Sequence, residues 1–505
     1  MKKLPTILLT STLMLLTIGA DAASEQPNIL LIVGEDHGIE LSCYGDPVVD
    51  TPHIDQLAAE GILYENGYVT QAVCSPSRSS IFTGLYPHSN GMLGLATHKF
   101  SYFKNWPTTF SLLKEQGYRT GILGKIHVNP ESLISDHVDF RAAKSSNFGK
   151  KNVAAYATNA GEFFREESEK PFFVTVNYPD AHWPLQEGRV GGLPEELVDS
   201  AKVRLMPYVS AEGETTERLN AIAENYYNCM RRLDDCVGQL LAELEASGKA
   251  ENTLVIFIGD HGAQMGRGKI FMYEAGTHVP FMARWPGKID AGQRSEALVS
   301  TVDLLPTFLE AAGAPERIPE NIQGKSLLPT FDGSRDFRPY VFCERNVDAA
   351  HYAYPQRTIR DERYKLIYSL VDGMDPGARD CVEHRKSHWS GCLHITDELP
   401  SAGEITRQGY ATWLNPPTYQ LYDLKNDPHE WNNLAEDPAH TETLERLKLA
   451  VFQWQEETRD PLLQAELLNQ LMTECRETTA AGKRLPEGGW QYLNYLHPDK
   501  ISFKQ

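Results

Sequence analysis

Four short apolar, β-branched runs, Ile29 to Val33, Thr120 to Leu123, Phe172 to Val176 and Leu254 to Ile258, constrain what this chain can fold into. Each reads as a strand buried on both faces, because a strand with one wet face would alternate apolar and polar residues. Helical patterns intervene at Ile54 to Glu60, at Thr109 to Gln116 and along Arg218 to Ser247. Strands that alternate with helices form a mostly parallel sheet covered on both sides, so the fold class is α/β. A polar cluster follows every run: Glu35-Asp36, then Lys125 and His127, then Asp180 and His182, then Asp260-His261. Ligands of open α/β sheets bind beyond the carboxyl ends of the strands, so the four clusters are expected to converge on one crevice.

Residues 1–22 of the 505 read as an export signal: Lys2 and Lys3, an apolar stretch from Ile7 to Ile18, then a small-residue cleavage site at Ala20-Asp21-Ala22. The stretch is short for a membrane span, and no later segment reaches ~18 uninterrupted apolar residues. A soluble periplasmic or secreted protein with no membrane span is therefore expected. The remaining ~480 residues exceed what one core serves, which predicts two domains. The boundary falls near residue 335, with a larger domain over 24–335 and a smaller α+β one over 336–505. In the smaller one, Val341 to Cys343, Thr358 to Ile359 and Tyr364 to Tyr368 read as antiparallel strands and Thr443 to Glu456 as one closing helix, while 371–418 reads as a long insertion or loop. The net charge of −20 argues against nucleic acid as a partner and gives an anionic polymer no general attraction. Any anion site is then built locally, from Arg, Lys, His and metal.

The run Cys74-Ser75-Pro76-Ser77-Arg78-Ser79-Ser80-Ile81-Phe82-Thr83-Gly84 carries the chemistry. Pro76 has no backbone donor to lose and a φ suited to a first helical turn, so a helix is expected to start there with Cys74 just before it. Cys74 then faces free backbone N–H groups and the positive end of the helix dipole, with Arg78 one turn later on the same face. The run resembles the type I sulfatase signature C-x-P-S-R-x-x-x-x-T-G, with every fixed position present. The resemblance implies an alkaline-phosphatase/sulfatase-like fold, a mostly parallel sheet flanked by helices with a smaller C-terminal subdomain. It also implies that a formylglycine-generating or sulfatase-maturing enzyme oxidises Cys74 to formylglycine (3-oxoalanine), whose hydrate supplies the attacking oxygen. Reserving Cys74 leaves an odd number of the eight cysteines, so at least one is unpaired. Cys381 and Cys392 can close a short loop, and Cys229 and Cys236, on one helical pattern, are expected to pack.

Paired acids at a strand end suit hard cations, which take several oxygen ligands and tolerate irregular geometry. With the resemblance, one Ca²⁺ per chain is placed on Glu35, Asp36, Cys74, Asp260 and His261. One of these departs from the family pattern and another from what calcium favours. Glu35 stands in place of an aspartate and is one methylene longer, and His261 is a softer ligand. Gly124-Lys125-Ile126-His127 is similar to the family's G-K-x-H element, in which Lys125 would neutralise a sulfate oxygen and His127 would act as a base beside the hydrate. His182, in Pro179-Asp180-Ala181-His182, matches the histidine that protonates the leaving group, a task for a side chain that titrates near neutrality. Lys269, opening a match to K-x-x-x-Y-E that ends at Tyr273-Glu274, would be the second cation on the sulfate. The C-terminal runs Gln420 to Asp423, Asp427 to Glu430 and Asn433-Leu434 also look like the family's, so the resemblance extends over essentially the whole mature chain.

Within the family, Gly84 to Gly94, Gly121 to Val128 and Gln453 to Pro461 resemble the sulfamidase branch, which acts on N-sulfated glucosamine. Lys269 and Trp183 stand where that branch carries arginines. The expected function is exo-acting release of sulfate from oligosaccharides of a sulfated polysaccharide. O-sulfate ranks ahead of N-sulfate, because Trp183 offers a face for a pyranose and two guanidinium forks are missing. A sulfamidase acting on N-sulfoglucosamine is the alternative. A phosphoester or phosphonate hydrolase would share the fold, and a glycan-binding protein without catalysis is the reading from another class.

Overall fold

The computed structural model describes residues 26–144, 153–185, 187–203, 217–371, 373 and 399–501. The expected export signal, Cys381, Cys392 and much of the 371–418 stretch lie outside the described residues.

Among the described residues, the strands form two sheets. The larger contains β1 (Asn28–Gly34), β2 (Ile62–Tyr68), β3 (Arg119–Gly124), β4 (Phe140–Ala142), β5 (Phe172–Asn177), β6 (Thr253–Gly259), β7 (Phe281–Arg284) and β8 (Gln293–Ser300). Their order is β4-β3-β5-β1-β6-β7-β2-β8, parallel throughout except where β7 pairs with β6 and β2. The smaller sheet is antiparallel, β12-β11-β10-β9, from β9 (Val341–Arg345), β10 (Gln356–Arg360), β11 (Tyr364–Ser369) and β12 (Tyr419–Asp423).

The uniform apolar runs follow from the position of their strands. β1, β5 and β6 are buried along their whole length, with β1 between the other two. Leu30 and Ile32 of β1 pack on one face with Phe163, Leu233 and Leu240 of the helices Ala154–Arg165 and Glu217–Ala246. Ile29, Leu31 and Val33 pack on the other with Phe110, Leu304 and Phe308 of Thr109–Glu115 and Leu304–Ala311. Each such side chain contributes about 1.5–3 kcal/mol by leaving water. The apolar-run criterion passes over β2, which carries Glu65 and Asn66, over the four-residue β7, and over the half-exposed edge strand β8.

Two expectations for the C-terminal part are corrected. The stretch 371–418 contains a helix, Glu404–Leu414, which buries Tyr410 and Trp413. Thr441–Glu457 does pack Leu447, Val451 and Trp454 on the small sheet, but it is not the last helix. Ala465–Ala480 follows and buries Leu471, Met472 and Cys475 in the core that includes β1. Cys229 and Cys236 are buried free thiols, as their helical spacing suggested.

A buried ion pair fastens β10 to the turn after Thr441–Glu457. Arg357 Nε and Nη2 donate to the two carboxylate oxygens of Asp460 at 2.6 and 2.9 Å, and Gln455 and the Leu462 amide add bonds of 2.8 and 3.0 Å. Burial alone would raise the Asp460 pKa, but Arg357 and then His88 outweigh it and hold the carboxyl far below its ordinary range. Arg357→Met is expected to cost about 3–5 kcal/mol in urea unfolding, because Asp460 would stay buried without its cation. A carboxyl with a depressed folded pKa contributes stability above its unfolded pKa of ~3.9 and loses it as pH falls toward the folded value. The deficit of Arg357→Met should therefore shrink below about pH 4, which urea titrations across pH would measure.

Candidate active site

β3, β5, β1 and β6 lie side by side, so the segments after them share one edge of the sheet. Backbone bonds lace those segments together. Asp260 N donates to Gly34 O at 2.9 Å, Glu35 N to Asp180 O at 2.9 Å, and Asp36 N to the Asp260 carboxylate at 3.0 Å. Asp36 and His127 adopt left-handed backbone angles, φ 55° and 58°, that side-chain-bearing residues rarely take. Strain of this kind persists where the surroundings over-determine a residue's place, and it concentrates at functional sites.

The helix that carries the signature, Cys74–Thr83, starts two residues earlier than Pro76 suggested. Val73 is extended and its carbonyl accepts from Ser77 N at 2.9 Å, so Pro76 falls inside the first turn, where a missing N–H leaves nothing unsatisfied. All ten residues are buried, which is why the run shows no amphipathic stripe. The helix ends at Gly84, whose φ of 63° and whose approach to Ile322, 2.4 Å from where a Cβ would stand, leave room only for glycine. Arg78 is buried beneath the crevice. It donates to Asp260 Oδ2 at 3.1 Å and to Asn177 Oδ1 at 2.7 Å, and Ser77 Oγ donates to the Asp260 carbonyl at 2.5 Å.

Cys74 is 1 % exposed at this helix N-terminus. Its sulfur lies 3.2 Å from His261 Nε2 and 3.9 Å from Asp36 Oδ1. Burial would raise the thiol pKa, but Lys125, Lys269 and His261 outweigh it and hold the thiol well below its ordinary value. Lys125 donates to Glu35 Oε1, and Lys269 Nζ donates to Asp36 Oδ2 at 2.7 Å. Burial pushes Glu35 up against the pull of Lys125, whereas in Asp36 His182, Lys269 and His261 overcome burial and bring the carboxyl down. Burial, aided by Lys125, pushes His127 down to about 4, so its imidazole is neutral at neutral pH and can take a proton. His182 is 18 % exposed at the mouth, its Nε2 3.9 Å from Asp36 Oδ2 and its Nδ1 2.6 Å from the Trp183 carbonyl. A carbonyl only accepts, so Nδ1 carries the hydrogen of that bond and Nε2 is the nitrogen on the Asp36 side.

The residues present fit a divalent cation. Ligand atoms of Asp36, Cys74, Asp260 and His261 all lie within 4.8 Å of one another, and Glu35 belongs to an overlapping group with Asp36, Cys74 and His182. Glu35 Oε2 is buried without a hydrogen-bond partner. Burial would lower the His261 pKa, yet Asp260 and Asp36 outweigh it and raise it to about 9. Several buried carboxylate oxygens thus converge on one point beside His261, an arrangement that suits a hard cation on oxygen ligands.

Glu35, Asp36, Cys74, Arg78, Lys125, His127, His182, Asp260, His261 and Lys269 thus lie together at this edge of the sheet. Asn177 and Arg232 were not foreseen. Asn177 is a neutral residue at the end of β5 with no pattern to mark it, and Arg232 sits in the long helix as one of many charged positions.

The sulfatase family profile matches residues 27–314, and the profile of the C-terminal part of N-sulphoglucosamine sulphohydrolase matches 259–375. An ulvan-active sulfatase of Formosa agariphila is 30% identical over 477 residues, covering 92% of this chain and 86% of the relative. Human N-sulphoglucosamine sulphohydrolase is 30% identical over 481 residues, covering 89% and 93%. Among solved structures, a sulfatase candidate from Bacteroides fragilis superposes with a TM-score of 0.68 at 21% identity, covering 88% of this chain and 98% of that one. A structure held with its substrate D-glucosamine-2-N,6-O-disulfate gives 0.64 at 21% identity, covering 86% and 98%. A cysteine signature at a buried helix N-terminus, ringed by lysines, histidines and convergent carboxylates on an α/β sheet, together with a profile match over more than half the chain, places this protein in the sulfatase family.

Proposed function

We propose that this sulfatase releases O-linked sulfate from the ends of oligosaccharides derived from a sulfated polysaccharide, with a formylglycine made from Cys74 and one Ca²⁺. The observation that carries the reading is Cys74 itself, at a helix N-terminus between Lys125, Lys269, His261 and Asp36. The hydrated aldehyde would supply the attacking oxygen, and the cation on Asp36, Asp260, His261 and residue 74, with Glu35 beside it, would withdraw charge from the sulfate. Arg78 keeps Asp260 in place. Lys125 and Lys269, paired with Glu35 and Asp36, turn to the sulfate oxygens and stabilise the charge that grows on them. His127 would take the proton of the remaining hydroxyl on residue 74, so that its aldehyde re-forms as sulfate leaves and water then restores the hydrate. His182, whose Nδ1 is tied to the Trp183 carbonyl, gives its proton to the leaving sugar oxygen from Nε2.

The division into a catalytic domain over 24–335 and a C-terminal subdomain over 336–505 belongs to this reading. So do export to the periplasm or medium and dependence on a maturation enzyme. Among the described residues no helix is long and apolar enough to cross a membrane. The relatives' names support a sulfated carbohydrate as substrate. Lys269 and the half-buried Trp183 favour an O-sulfated pyranose, since lysine is a point charge where a fork would grip a sulfamate and an indole stacks on a sugar face. A second reading, hydrolysis of N-sulfoglucosamine, is favoured by the profile match at 259–375 and by the human relative.

The test is sulfate release from N-sulfoglucosamine beside a panel of O-sulfated mono- and disaccharides. Turnover of one or more O-sulfates at least ~10-fold faster in kcat/KM is expected, a preference of about 1.4 kcal/mol. Activity confined to the sulfamate would replace the first reading by the second.

A further inference from the structure

Arg232 lies on the helix Glu217–Ala246 and is fully buried. Its guanidinium grips Asp180 with two bonds, Nε to Oδ2 at 2.7 Å and Nη2 to Oδ1 at 2.6 Å, and Nη2 also reaches Cys229 Sγ at 3.3 Å. A fork-on-carboxylate pair sets the orientation of the carboxylate as well as its distance.

Asp180 occupies a junction. Its carbonyl accepts from Glu35 N at 2.9 Å, and the next amide, Ala181 N, donates back to the Glu35 carbonyl. His182 N closes the turn on Pro179 O at 2.9 Å. The two reciprocal bonds lock the 179–182 turn to the strand end that bears Glu35 and Asp36. His182 Nδ1 bonds the neighbouring Trp183 carbonyl at 2.6 Å, which ties the ring to the backbone of the same segment, so a shift of that backbone carries Nε2 with it.

We propose that Arg232 is a positioning residue for His182, acting through Asp180 to hold the proton donor in register with Asp36. The inference rests on the assignment of His182 as the acid made above. It adds that the geometry of that acid is set from the helix Glu217–Ala246, a different element from the strand-end turn that carries it. A displacement of about 1 Å in a catalytic group can cost on the order of 10²-fold in rate, and the fork is what prevents it. Lysine keeps the charge but loses the second prong.

The test compares kcat and KM of wild type, Arg232→Lys and His182→Ala on an activated aryl sulfate, which needs no acid, and on a sugar sulfate, which does. Arg232→Lys is expected to lower kcat on the sugar sulfate by ~10- to 100-fold with KM nearly unchanged, and to leave the aryl sulfate rate within about threefold. His182→Ala should show the same asymmetry, larger. Should Arg232→Lys fail to fold, Arg232→Met/Asp180→Asn, which leaves no buried charge unpaired, carries the comparison. Equal losses on both substrates in the Arg232 variant, beside an asymmetric His182→Ala, would overturn the positioning role alone. Equal losses in His182→Ala itself would overturn the acid assignment and this proposal with it.

Discussion

Cys74→Ala is expected to abolish sulfate release while the protein still folds. A nucleophile that acts as a unit with its neighbours takes most of the catalytic effect with it, so a loss on the order of 10⁴- to 10⁶-fold in kcat is anticipated. The fold loses only one sulfur from a buried helix start, worth about 1 kcal/mol, and the thermal midpoint should move by a few degrees at most. Cys74→Ser is the sharper variant, because a cysteine-specific maturation enzyme has no thiol to oxidise, and the hydroxyl remains as a weak nucleophile. Intact mass of the active-site peptide from the wild type should show loss of the sulfur. Wild-type-like turnover from Cys74→Ala, or an unmodified cysteine in fully active enzyme, would remove residue 74 from the nucleophile's place.

The second large effect is expected on removal of metal. Exhaustive chelation should lower activity by at least ~10²-fold and lower the melting temperature with it, and added Ca²⁺ should restore both. An ion present at 100 times its Kd stabilises the folded state by about 2.7 kcal/mol, which fixes the scale of the thermal effect. Asp260→Ala is the harsher version. It removes a ligand and also strips buried Arg78 of its 3.1 Å partner, so its stability loss should exceed that of chelation. Activity and melting temperature both unmoved by chelation would leave Glu35, Asp36, Asp260 and His261 as a purely electrostatic cluster.

The crevice is legible in the sequence to an unusual degree because the central strands are buried on both faces. Their apolar runs stand out, and each run ends where a polar cluster begins. The edge elements are not legible in that way. β2 and β8 mix charged with apolar residues, and β7 is four residues long, so neither period nor composition separates them from loops. The helix Glu404–Leu414 is hidden for a related reason: its burial rests on Tyr410 and Trp413 meeting Phe271 and Trp431, residues remote in sequence. The signature helix starts ahead of Pro76 because Ser77 N bonds the carbonyl of an extended Val73, a contact that overrides the local proline rule and exists only once the chain is placed.

The sequence by itself determined the class of fold, the signature and the kinds of side chain at the strand ends, because these are carried by local periodicity and short spacings. Only the tertiary structure decided which partner each charge takes. Lys125 pairs with Glu35, 90 positions away, Arg78 with Asp260, 182 away, Lys269 with Asp36, 233 away, and Arg232 with Asp180, 52 away. Hydrogen bonds and close ion pairs act over a few ångströms, and those distances come into being only when the parallel strands bring their carboxyl ends to one edge.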